Sequence, residues 1–131
     1  MKKFNEHLLY EATEMNINGY KTKYFFMCPG AQSVFAMLLD DKKVDQSEVR
    51  DIAQRVDDFL RIEKKVMDAG EITDEQKKEA EAIYQEIKDQ AEGMGKPEAF
   101  KFMDAHYDHT VVNPKKAGSL REKEWNHTQS F

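Results

Sequence analysis

Two stretches of the chain space their apolar side chains three and four apart, the pattern of helices with one buried face. The first carries Val49, Ile52, Val56, Phe59, Glu63 and Val66, with Ala53, Leu60 and Met67 widening the stripe. Asp45 precedes it as an N-cap, with Glu48 three positions on to complete a capping box, and Gly70 follows Ala69 where a left-handed residue ends a helix. The second carries Ala80, Ile83, Tyr84, Ile87 and Ala91, opened by Thr73 and Gln76 as another capping box. Only AGEITDEQ (69–76) separates them. The pattern therefore predicts helices over 46–69 and 74–92 that lie antiparallel.

One member of the first stripe is out of character. Glu63 falls where an apolar residue belongs. Buried there, it requires a lysine or hydroxyl partner, or becomes neutral through a raised pKa. The expectation is instead that the stripe drifts, Leu60 or Met67 covers that level, and Glu63 lies at the rim.

The flanking segments read less regularly. Phe4, Leu8, Leu9, Ala12 and Met15 predict a helix over 2–13, and Asn18-Gly19 predicts a tight turn. Tyr20, Thr22, Tyr24 and Phe26 then alternate, predicting a short extended segment near 20–27 that pairs with residues 15–18 or with another chain. After Cys28-Pro29-Gly30, a helix buries Val34, Phe35, Leu38 and Leu39, with Ala31 a turn before. Pro97 opens a further helix with Phe100, Met103 and Tyr107 inward and Phe102 beside them. Asn113-Pro114 marks a turn, and Ser119 with Glu122 starts a short final helix carrying Leu120 and Trp125.

The fold class expected is mainly α. It is a small bundle of four or five helices built on the hairpin 46–92, with 1–45 and 97–131 packed around it as one domain. At 131 residues the chain is long enough to bury one core. Hydrophobic residues make up 40% and charged residues 34%, and the apolar runs at 24–28 and 34–39 are too short to span a bilayer. Glu6, His7 and Glu11 interrupt any leader-like apolar stretch, so a cytoplasmic location is expected. Residues 44–95 hold 8 basic and 15 acidic side chains, a surface that repels phosphate and argues against nucleic acid as a partner.

Chemistry is sparse. Cys28 cannot form an internal disulfide and is expected to be a buried thiol among Phe25, Phe26 and Met27. The stretch FMDAHYDH (102–109) is the densest in ligating side chains, and His106 and His109 are the candidates for a metal. Two ligands do not make a zinc site, however, and the four polar residues Asp104, His106, Asp108 and His109 are expected to form the wet side of an amphipathic helix. Glu124 and His127 have the Glu-x-x-His spacing of di-iron bundles, but the second copy that such bundles need is missing. No catalytic residues, cofactor or metal are expected. The aromatic run Tyr24, Phe25 and Phe26, together with Trp125 and Phe131 in a polar tail, are the candidate partner-binding residues.

The opening MKKFNEHLLYEA resembles that of small accessory and structural proteins of contractile-tailed bacteriophages: a lysine pair, Phe, a short amphipathic helix, then Glu-Ala. The resemblance implies a virion accessory protein or a host-directed early protein and brings no catalytic residues with it. The expected function is a non-enzymatic protein–protein interaction protein, with a protein partner or self-association. The alternatives are a metal-binding enzyme or sensor using His106 and His109, or an acidic inhibitor of a host nucleic-acid enzyme acting through 44–95.

Overall fold

The computed structural model describes residues 14–114. The helix expected over 2–13, the Ser119–Glu122 cap, the Glu124–His127 pair, Trp125 and Phe131 lie outside the described residues.

Asn18 and Gly19 both hold positive φ, 52° and 96°, the turn geometry whose twist matches antiparallel strands. They join β1 (Asn16–Ile17) to β2 (Tyr20–Lys21), with Ile17 opposite Tyr20 and Asn16 opposite Lys21. Of the two partners open to the extended segment, the chain uses its own preceding residues. The Thr22 amide donates to the Met15 carbonyl, and the Met15 amide to Thr22 Oγ1, each at 3.0 Å.

The strand is much shorter than the expected 20–27. Pairing stops at Lys21, and Phe25–Met27 form a 3₁₀ turn. A buried carboxylate explains the change. Asp57 accepts the Lys23 amide at 3.0 and 3.1 Å, the Tyr24 amide at 2.7 Å and the Tyr20 hydroxyl at 2.6 Å. Amides that a longer strand would offer to a neighbour are thus fastened to a helix. Burial, and then Asp57, push the Tyr20 pKa up, which keeps that hydroxyl a donor. Phe25 turns fully inside, its ring 5.2 Å from that of Phe35.

Helix α1 (Pro29–Asp40) starts at the proline, whose fixed φ and missing amide suit a first helical position. Ala31, Phe35 and Leu38 form its buried face, with Val34 and Leu39 partly covered. Helix α2 (Gln46–Ala69) is capped by Asp45, which accepts the Ser47 amide at 2.9 Å rather than closing the expected box with Glu48. Gly70 ends it at φ 81°, donating its amide to the Val66 carbonyl at 2.7 Å. Helix α3 (Asp74–Gly93) shows its capping box complete: Thr73 Oγ1 accepts the Gln76 amide at 3.1 Å, and Gln76 Oε1 accepts the Thr73 amide at 3.0 Å.

Arg55 pairs with Glu86 and Arg61 with Glu79. Partners descend along α3 as they ascend along α2, so the two helices are antiparallel, as the short link requires. These exposed pairs contribute little. The seam is held by the burial of Val49, Ile52, Val56, Phe59 and Leu60 against Ala80, Ile87 and Ala91.

The segment after Pro97, expected as one continuous helix, is broken into three pieces. Pro97–Phe100 is a 3₁₀ turn, Phe102–Tyr107 is α-helical (α4), and Asp108–Val112 is a π turn. Phe100 meets Phe35 edge-on at 5.6 Å and Phe102 at 5.8 Å, continuing the aromatic column that begins at Phe25. Gly30 permits this approach, since a Cβ there would stand 3.3 Å from Cβ of Phe102. The fold is mainly α, as predicted, and none of its described helices is long and apolar enough to cross a membrane.

Removing the Asp57 carboxylate strands buried donors. Asp57→Ala should lower the unfolding free energy in urea by ~3 kcal/mol and speed hydrogen exchange at the Lys23 and Tyr24 amides. Asp58→Ala, on the exposed side of α2, should change stability by less than ~0.5 kcal/mol.

Candidate metal centre

Glu63 does not lie at the rim. Its side chain is 3% exposed, because the stripe on α2 does not drift: Leu60, Ile62, Val66 and Met67 around it are all buried. A carboxylate at such a position has to find donors. They come from the C-terminal segment and converge on one oxygen. Glu63 Oε1 lies 2.7 Å from His106 Nδ1, accepts the Thr110 hydroxyl at 3.1 Å, and lies 3.6 Å from His109 Nε2.

The four polar residues expected on one wet face are therefore divided. Asp104 and Asp108 are exposed, whereas the His106 and His109 side chains are only 13% and 15% exposed and turn towards α2. The π turn makes this possible. After Tyr107 the helix widens, closing with the Asn113 amide on the Asp108 carbonyl at 2.7 Å. A wider turn alters which residues share a side, and here His106, His109 and the fully buried Thr110 all reach Glu63. The two imidazole rings meet edge to face at 5.4 Å. On the outer side, Tyr107 stacks on Tyr84 of α3 at 4.2 Å, and the Tyr84 hydroxyl donates to Asp104 at 2.5 Å. Burial and Asp104 push the Tyr84 pKa up to about 12. These contacts dock α4 on α3 and fix where the imidazoles stand.

The electrostatics follow from the geometry. Burial alone would raise the Glu63 pKa, but the imidazoles of His106 and His109 outweigh it and hold the carboxyl below its usual range. Burial likewise pulls His106 down, and is outweighed by the Glu63 carboxylate and the neighbouring Cys28 sulfur, so the imidazole pKa is raised well above its ordinary value. In the metal-free chain the pair is a buried carboxylate–imidazolium bridge. Cys28 is 2% exposed, as expected of a core thiol.

Glu63, His106 and His109 each offer one ligand atom, and these atoms lie within 4.8 Å of one another. Two imidazole nitrogens and one carboxylate oxygen form a set suited to zinc or iron(II). Bonds of about 2.1 Å allow donors up to about 4.2 Å apart. The Glu63–His106 and Glu63–His109 separations already satisfy this, and the remaining pair needs to close by at most about 0.6 Å on the same bond length. The Thr110 hydroxyl donates to that same Glu63 oxygen.

The sequence singled out His106 and His109 but missed their third partner. The signal was the acidic residue on an apolar stripe, which was read as a rim position. Among the partner-binding candidates, Phe25 is enclosed in the chain's own core, while Tyr24 and Phe26 are half-buried. No protein family, curated protein or solved structure matches this chain.

The bridge has a pH signature in the metal-free protein. Glu63, with a lowered pKa, contributes stability above the ordinary carboxylate range that is lost as pH falls through its own value. His106, with a raised pKa, contributes stability that is complete below about pH 6.5 and is lost as pH rises through its folded value. The stability difference between wild type and a Glu63→Gln, His106→Gln double variant, followed by urea unfolding, should be greatest near pH 5–6.5 and decline on both sides.

Proposed function

We propose that this protein binds a divalent transition-metal ion, of the zinc or iron(II) class, through Glu63, His106 and His109. The observation that carries the reading is the convergence of three ligand atoms from two distant parts of the chain inside a largely buried site. An exposed His-x-x-His pair alone would not support it. The interaction reading drew on Tyr24, Phe25, Phe26, Trp125 and Phe131; Phe25 is enclosed in the chain's own core, and Trp125 and Phe131 lie outside the described residues. The metal reading therefore stands ahead of it.

Three protein donors leave at least one coordination position for water or a small ligand, unlike a closed four-ligand structural site. A zinc ion held this way polarises its water towards hydroxide near neutral pH, and an iron(II) ion keeps positions open for exchangeable ligands. The reading is accordingly that of a metal-dependent enzyme or sensor. Thr110, hydrogen-bonded to the Glu63 carboxylate, orients the oxygen ligand. Loading displaces the proton held between Glu63 and His106, so uptake is coupled to proton release.

Elemental analysis and calorimetric titration of the full chain test the reading. One equivalent of zinc or iron(II) should bind with proton release, and a saturating ion at 100 times its dissociation constant should stabilise the fold by about 2.7 kcal/mol. The double variant His106→Ala, His109→Ala should lose both effects. Wild-type protein that takes up neither ion after chelation and reconstitution would overturn the proposal.

A further inference from the structure

Metal uptake would change the charge of a site from which water is largely excluded. Without the ion, the Glu63 carboxylate and the His106 imidazole share a proton across 2.7 Å, and their charges cancel. A divalent ion that displaces this proton sets two positive charges against one carboxylate and two neutral imidazoles. One positive charge is left over.

Among the described residues, none is placed to offset it. Phe59, Leu60, Val66 and Met67, one turn either side of Glu63 on α2, are buried, as are Met103 and Val111 beside the histidines. The cluster of converging donors contains a single carboxylate. Asp104 is committed to the Tyr84 hydroxyl at 2.5 Å, and Asp108 is exposed, where water screens it. The fully buried Thr110 donates its hydroxyl to Glu63 Oε1 at 3.1 Å, so that oxygen is already sharing its negative charge. A charge left alone in such surroundings is costly, and an opposite charge bound directly to the ion removes that cost at the shortest range. The ligand side chains are 3%, 13% and 15% exposed, an opening that suits a ligand of a few atoms.

We propose that the open position of the loaded centre takes a small monovalent anion in preference to a neutral donor. This rests on the metal reading above and names the class of ligand or substrate that the centre accepts.

The probe is cobalt(II) bound to the full chain at one equivalent, with thiocyanate and acetonitrile as linear ligands of similar size and different charge. Thiocyanate should shift the visible ligand-field bands in one saturable step, at least about 10-fold more tightly than it binds aqueous cobalt(II). Acetonitrile at the same concentrations should leave the bands unchanged. His109→Glu exchanges an imidazole for a carboxylate and cancels the leftover charge. It should still bind cobalt and lose the tight thiocyanate response; if it fails to hold cobalt, the wild-type comparison decides alone. The anion preference would be overturned by thiocyanate binding no tighter than to the aqueous ion, or by acetonitrile or benzoate binding as tightly as thiocyanate. An undiminished thiocyanate response in cobalt-loaded His109→Glu would overturn it too, and each of these results leaves the metal reading intact. No cobalt bands in wild type would end both readings.

Discussion

A carboxylate taken out of water must be met by hydrogen-bond donors or cations, and helix α2 imposes that demand twice. Asp57 and Glu63 are each 3% exposed on its buried face. Each has drawn in an irregular piece of the chain. Asp57 gathers the amides of Lys23 and Tyr24 and the hydroxyl of Tyr20, which ends the strand and turns Phe25 into the core. Glu63 gathers His106, His109 and Thr110 from the other end. Apolar contacts supply the cohesion of the hairpin, but these two side chains decide where the non-helical segments dock. For Glu63 the net contribution is specificity more than stability, since a buried ion pair recovers little beyond its own desolvation cost.

The legible part of the fold was the part governed by local rules. Helices α2 and α3 were readable to within a residue because periodicity, caps and Gly70 all act over a few positions, and the Asn18-Gly19 turn was readable for the same reason. The strand's length was not, because what ends it is Asp57, far along the chain. The candidate centre was half legible. His106 and His109 stand out as a pair, but their orientation depends on a π turn that leaves no local mark in DHTVV (108–112) and on a partner 43 residues away. Glu63 advertised itself as an acidic residue on an apolar stripe. Nothing in the spacing tied it to those two histidines.

On the metal reading proposed above, proton and cation are alternative occupants of the same centre. The shared proton between Glu63 and His106 neutralises a charge that would otherwise be buried alone, and the donors are gathered around one carboxylate oxygen. On that reading a cation would find its ligands already gathered, with Thr110 hydrogen-bonded to the carboxylate, and little conformational entropy would remain to be lost. Every buried side-chain polar atom among the described residues has a partner.

The π turn at 108–112 has a consequence for how such a centre can arise or vanish. A turn of this kind amounts to one extra residue in a helical repeat, here the last before the helix ends at Asn113, and it shifts the phase of the side chains within that repeat. Losing a single codon within 108–112 would restore the ordinary repeat and swing Thr110 and Val111 away from the core while leaving the hairpin untouched. Ligand geometry here is therefore separable from the scaffold that carries it. Variation in length at this one point can abolish or rebuild the centre without a new fold.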